Sequence, residues 1–358
     1  MMRTIFAAVA VLLAIASAAT AANRPNWTMI VDIGDERVEG TPLSWSKQQV
    51  LLLGRDGRLW DFSPKESRNF RKVSSTFASY SASEMRAALE RELRGKLVIT
   101  GTGHYLVAHP KGKEAWAQRF EQLYRSCIHY FSMRNMRVSE PKFPLVAIVW
   151  GNHADFERYA AQDGSHVREG VLGFYSPTTN RVMLYDNDMG NSRLSSLFND
   201  ATIIHEATHQ VAFNTGVHNR FSPSPNWLVE GLGSMFEANG VWDWQRYPDR
   251  RDRVNRMRLA QFRQWQKSGR AAGSFAQLLS SDRQFAANPT AAYAEGWAWV
   301  FFLTERYPQK FAEYVRRVAA RGDFETYPPA QRIHDFSAVF GSDLRMLEKH
   351  CFNFIGEL

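Results

Sequence analysis

Cysteine is scarce: only Cys127 and Cys351 occur in 358 residues, too few for a disulfide-stapled scaffold, so the fold must rest on packed apolar cores. Long apolar runs are missing as well. Past the N-terminus nothing approaches the roughly 20 apolar residues that span a bilayer; even Phe143 to Trp150 stops at Gly151, which excludes a polytopic membrane protein. No internal repeat and no low-complexity tract occurs, which removes repeat architectures. Acidic residues are outnumbered, 36 against 44 basic, for a net charge of +8. Residues 241–270 alone hold nine basic and three acidic side chains, so the excess describes a local patch more than the whole surface. What is present in quantity is apolar: 44% of the chain is hydrophobic and 22% charged, too apolar for intrinsic disorder and long enough for two packed domains.

The N-terminus carries Arg3, an apolar stretch from Ile5 to Ile15, and then small residues with Ala16-Ser17-Ala18 and Ala19-Thr20-Ala21 as cleavage sites. These are the three parts of a secretory signal peptide, assigned here to residues 1–21, and they predict a periplasmic or secreted protein. The apolar core is too short for an anchor, and no cysteine lies near the cut to carry a lipid. In an oxidising compartment the two cysteines could pair. Cys127 also falls on the stripe Trp116, Phe120, Leu123, Cys127, Phe131 at helical spacing, where a buried thiol serves as a small apolar group.

The fold expected is α+β, with a small β-rich accessory domain over residues 22–112 and a catalytic domain over 113–358. In the first, Val50 to Leu53 and Leu59 to Phe62 flank an Asp56-Gly57 hairpin signal. Ser81 and Glu84 form a capping box ahead of Met85, Leu89 and Leu93, and Lys96 to Thr100 with Tyr105 to Ala108 reads as a second hairpin. In the second, a helix from about Glu114 to Arg134 leads to a buried strand over Phe143 to Trp150, then strands at Val171 to Ser176 and Arg181 to Tyr185. From Asn191 the pattern is helical, so a part made of the sheet and the helix that carries His205 to His209 (113–216) precedes a helical part (217–358).

His205-Glu206-Ala207-Thr208-His209 carries the chemistry. Asp200 can cap a helix whose apolar side includes Ile204, Ala207 and Val211, and Gly216 can end it. On that helix, His205 and His209 lie one turn apart on one face, so their imidazoles can converge on one tetrahedral ion. Glu206, offset by one position, can reach a water at such an ion without ligating it. A catalytic zinc needs a third protein ligand. Glu230 lies 21 residues after His209, on a second helix capped by Ser224 with Pro225 at its first position, and a turn over Gly216 to Pro223 can bring it back. The pattern that would instead recruit a third histidine fails, because Ala212 and Thr215 occupy the places it needs.

These residues resemble the gluzincin zinc peptidases of the MA-like group, and in particular the exported bacterial domain of unknown function numbered 1570. The resemblance rests on His205 to His209, on Trp227-Leu228-Val229-Glu230-Gly231-Leu232-Gly233 and on Tyr293-Ala294-Glu295-Gly296-Trp297, and spans roughly Lys142 to Tyr307. It implies a zincin-like domain with Zn2+ held by His205, His209 and Glu230, Glu206 as general base, Tyr293 as oxyanion donor, and a peptide or protein as substrate. Tyr175 and His218 are the reserve donors. Thermolysin-like members place a carboxylate one turn after the glutamate ligand; here that place is Ser234, so the group orienting a histidine is either this hydroxyl or lies elsewhere.

Two surfaces complete the expectation. In the zincin arrangement the strand before the HExxH helix is a sheet edge, to which an extended peptide can add. Between Arg250 and Lys267, five arginines alternate with Val254, Met257, Phe262 and Trp265 as an amphipathic basic helix that could meet an anionic envelope surface. No motif supports nucleic-acid binding. The alternative to a hydrolase is an inactive zincin-scaffold envelope protein that binds peptides or anionic polymers, encouraged by Ser234.

Overall fold

In chain order the elements are β1 (Thr28–Ile33), β2 (Glu36–Trp45), β3 (Val50–Gly54), β4 (Leu59–Phe62), β5 (Ser67–Ser74), α1 (Ala82–Leu93), β6 (Val98–Gly101), β7 (Tyr105–His109), α2 (Ala115–Met133), β8 (Leu145–Trp150), α3 (His153–Gln162), β9 (Gly173–Ser176) and β10 (Arg181–Tyr185). Helices follow: α4 (Arg193–Asn214), α5 (Asn226–Phe236), α6 (Asn239–Trp242), α7 (Arg256–Lys267), α8 (Ser274–Ser280), α9 (Arg283–Ala287), α10 (Pro289–Arg306), α11 (Pro308–Ala319), α12 (Pro329–Phe340) and α13 (Leu344–Gly356). This computed structural model describes residues 26–162, 164, 165, 167, 170–186 and 193–358. The expected signal peptide, residues 1–21, lies outside them. Among the described residues no helix is long and apolar enough to cross a bilayer.

The α+β class is observed. β1 to β5 form an antiparallel sheet in the order β4-β3-β2-β1-β5, around a core of Met29, Val31, Val38, Val50, Leu52 and Phe62. The second sheet runs β6-β7-β8-β10-β9, with β7, β8 and β10 parallel and the outer strands antiparallel. Its composition differs from expectation. The hairpin β6–β7, read as the end of an accessory domain closing at residue 112, pairs through β7 with β8. Parallel neighbours need a helical crossover, and α2 supplies it, so Pro110 to Lys113 is a strand-to-helix turn inside one unit and not a linker.

Period-two alternation in β8 divides the cores. Leu145, Ala147 and Val149 face α2 and α4, whereas Val146, Ile148 and Trp150 face α1 and α3. The first of these cores continues into the C-terminal helices, where α10 buries Trp297, Trp299 and Phe301. Helix α5 lies almost backbone to backbone on α10: a Cβ on Gly231 would meet the carbonyl oxygen of Gly296 at 2.5 Å, so glycine is required at this crossing. Inside α10, the fully buried Glu295 accepts hydrogen bonds from Arg270 Nε at 3.1 Å and Ser274 at 3.0 Å, and Arg270 also pairs with Glu348 of α13. Cys127 and Cys351 are both buried and free.

Candidate metal centre

α4 begins earlier than its sequence suggests. It starts at Arg193, so Asp200 is not a cap but an interior residue that pairs with Arg119 at 3.0 Å; the helix ends at Asn214, with Gly216 at a positive φ of 84°. α5 starts one residue late, with Pro225 at its N-cap, and its orphan Asn226 amide donates to Asp282 at 2.9 Å in place of the expected Ser224.

The turn between them brings Glu230 against the histidines. His205 Nε2 lies 3.1 Å and His209 Nε2 3.4 Å from the same oxygen, Glu230 Oε2, and the two rings stand perpendicular with centroids 4.6 Å apart. Donor atoms of all three lie within 4.8 Å of one another, with both histidines buried. The chemistry of the set, two imidazole nitrogens and one carboxylate oxygen on two packed helices, fits a small divalent ion such as zinc. The three groups also pair electrostatically. Burial opposes protonation of His205, yet its hydrogen bonds to Glu230 and Glu237 outweigh it and raise its pKa to about 10. Burial likewise opposes ionisation of Glu230, but the two histidines hold its carboxyl well below the usual range.

The group that orients His205 is Glu237, which the sequence reading missed. Its Oε1 is 2.9 Å from His205 Nδ1, which fixes Nε2 toward Glu230. Glu237 is itself held by Asn255 Nδ2 at 2.8 Å and Arg258 Nη2 at 3.1 Å; burial opposes its charge, but Arg258 and His205 lower its pKa to about 2. Ser234 does not take this role: its hydroxyl is buried without a hydrogen-bond partner among the described residues, and its carbonyl accepts from Asn255 at 2.8 Å. The available signal was the spacing, since Glu237 follows Glu230 by seven residues, two turns along one face. Gly233 lies flat beneath the His205 ring, where a Cβ would be 2.8 Å from Cε1 and 3.0 Å from both nitrogens.

Glu206 stands apart from the ligand cluster, as its offset on the helix requires. Burial raises its pKa, and its Oε2 accepts the backbone N–H of Tyr175 at 2.8 Å. Tyr175 belongs to β9, which corrects the expected edge: β10 precedes α4 but is interior, and β9 is the outermost strand. The Tyr175 phenol donates to Asn180 at 2.8 Å and stacks on Phe213, so it is committed elsewhere. Tyr293 comes from the first turns of α10, capped by Asn288, and its hydroxyl donates to Glu230 Oε2 at 2.5 Å. Burial, with the neighbouring Glu230 charge, raises its pKa well above 10 and keeps it a neutral donor. His218 is 2% exposed, has no hydrogen-bond partner at either ring nitrogen among the described residues, and is pushed by burial down to about 3.

The expected basic helix from Arg250 to Lys267 is broken. A short 3-10 turn covers Arg250–Arg253, Asn255 caps α7, and three of the arginines lie near acidic side chains of the protein. Arg250 and Arg253 reach Glu305, at 3.9 and 2.9 Å, and Arg258 is buried on Glu237.

Residues 199–325 match the family described as Protein of unknown function (DUF1570). The match takes in both histidines, Glu206, Glu230, Glu237 and Tyr293. No curated protein matches the chain.

Proposed function

We propose that this protein is an exported zinc-dependent hydrolase, and that its substrate is a peptide. The observation that carries the reading is the convergence of His205, His209 and Glu230 on one buried point, with Glu206 beside it but outside the ligand set. A zinc ion held by these three residues would polarise a scissile carbonyl and acidify a water molecule.

The protein's own groups supply the rest. Glu206, with a pKa raised by burial, takes the proton of the attacking water and returns it to the leaving amine. Tyr293, neutral and adjacent to Glu230, donates to the carbonyl oxygen as negative charge develops there. Glu237 keeps His205 in the tautomer that presents Nε2. The Tyr175 amide of β9 is bonded to Glu206, so this outermost strand borders the base. The inactive-scaffold alternative drew on Ser234, and Glu237 supplies the carboxylate that Ser234 lacks.

Metal analysis of purified protein, combined with chelator-sensitive cleavage of a peptide library, tests the reading. About one zinc per chain is expected, and Glu206→Gln should retain it while abolishing turnover. Well-folded protein without zinc refutes the proposal, and wild-type turnover in Glu206→Gln refutes the role of Glu206.

A further inference from the structure

One cation of the arginine-rich segment is turned inward. Arg258 is 4% exposed, and its neighbours are not those of a surface ion pair. Its Nη2 donates to Glu237 Oε1 at 3.1 Å, its Nη1 donates to Gln261 at 3.3 Å, and its guanidinium carbon lies 5.0 Å from the centroid of the Tyr293 ring. Glu237 Oε1 is the same oxygen that meets His205 Nδ1. One guanidinium thus touches the carboxylate that orients a metal ligand and the ring that carries the hydroxyl on Glu230.

Burying a cation is costly, and an apolar side chain would fill the space at less expense if packing were all that was needed. A planar guanidinium can meet a carboxylate with its N–H groups and an aromatic ring with its face, which a lysine ammonium cannot do together. Asn255, the cap of the same helix, holds the second oxygen of Glu237, so the start of α7 fixes this carboxylate from two sides.

We propose that Arg258 is a positioning residue of the metal centre, setting the orientation of His205 through Glu237 and that of Tyr293 through its ring. The inference rests on the reading of this centre as the zinc site of a hydrolase.

The test is a cycle of four full-length proteins: wild type, Arg258→Met, Glu237→Gln and the double variant. Zinc affinity is measured by competition with a chromogenic chelator, and ligand geometry by the visible absorption of the Co(II)-loaded forms. Arg258→Met should weaken zinc binding by about 10- to 100-fold and shift the Co(II) bands. In the Glu237→Gln background the same substitution should change affinity by less than about twofold, because the carboxylate through which it acts has lost its charge. Should Arg258→Met alone not fold, the double variant, which carries no unpaired buried carboxylate, is compared with Glu237→Gln. Arg258→Lys is then compared with wild type, and is expected to lower kcat with KM unchanged as the contact with Tyr293 is lost. Wild-type zinc affinity and an unchanged Co(II) spectrum in folded Arg258→Met overturn the proposal, as do fully additive effects in the cycle or an unaltered kcat in Arg258→Lys. A wild-type chain that binds no zinc overturns instead the hydrolase reading beneath it.

Discussion

Adding one methyl group at Gly233 should weaken metal binding without unfolding the protein. A Cβ at this position would stand 2.8 to 3.0 Å from three atoms of the His205 ring, where ordinary contact begins near 3.4 Å. The ring must therefore retreat by several tenths of an ångström. It is held at Nδ1 by Glu237 at 2.9 Å and faces Glu230 Oε2 at 3.1 Å, so retreat lengthens one contact or the other. Overpacking of this kind costs about 1–3 kcal/mol. Alanine in place of glycine inside α5 returns roughly 0.8–1 kcal/mol through helix propensity, so the metal-free protein should melt within a few degrees of wild type. In the metal-bound protein the ring cannot retreat, and the extra strain relative to the relaxed metal-free protein, about 1–3 kcal/mol, appears as about 5- to 150-fold weaker zinc binding at ~1.4 kcal/mol per tenfold. Chelator competition measures the affinity, and thermal melts with and without zinc separate it from stability. Gly233→Ala with wild-type zinc affinity would refute the close-packing argument and with it the placement of His205 as a ligand.

Tyr293→Phe should lower turnover by about 10- to 1000-fold while zinc is retained, because the phenyl ring keeps its edge contact with Phe285 and only the hydroxyl on Glu230 is lost. Unchanged kinetics would transfer the donor role to His218. The thiols should be inert in the native state: burial pushes Cys127 up to about 12 and Cys351 well above its ordinary value, so the thiolate that a disulfide reagent needs is absent at neutral pH. Both should titrate once the chain is unfolded in denaturant; stoichiometric labelling of folded protein would contradict their burial.

The centre was legible in the sequence wherever its geometry is local. His205 and His209 are fixed by one helical turn, and Glu230 by a helix start whose proline and apolar run can be read directly. The strand limits around Asp56-Gly57 and the capping box at Ser81 were legible for the same reason. What escaped depends on pairing at a distance. Nothing within Lys96 to Ala108 says that its second strand will lie parallel to Leu145–Trp150, because the partner comes after a whole helix. The run of arginines from Arg250 reads as exposed charge until Glu237 and Glu305 are seen beneath it. Glu237 escaped because the familiar place for such a carboxylate is one turn after Glu230, and the chain uses the place two turns after.

The hydrogen bond from the Tyr175 amide to Glu206 also bears on edge-to-edge pairing of β9. An open sheet edge offers unpaired N–H and C=O groups to any extended chain, and proteins that must keep such an edge shorten it or occupy its donors. β9 has four residues, and its outward amide at Tyr175 is already held by a buried carboxylate at 2.8 Å. Two copies meeting edge to edge would have to break that bond and leave Glu206 buried without its donor. A strand that could recruit other strands indiscriminately is thereby kept from doing so by the acidic side chain it lies beside.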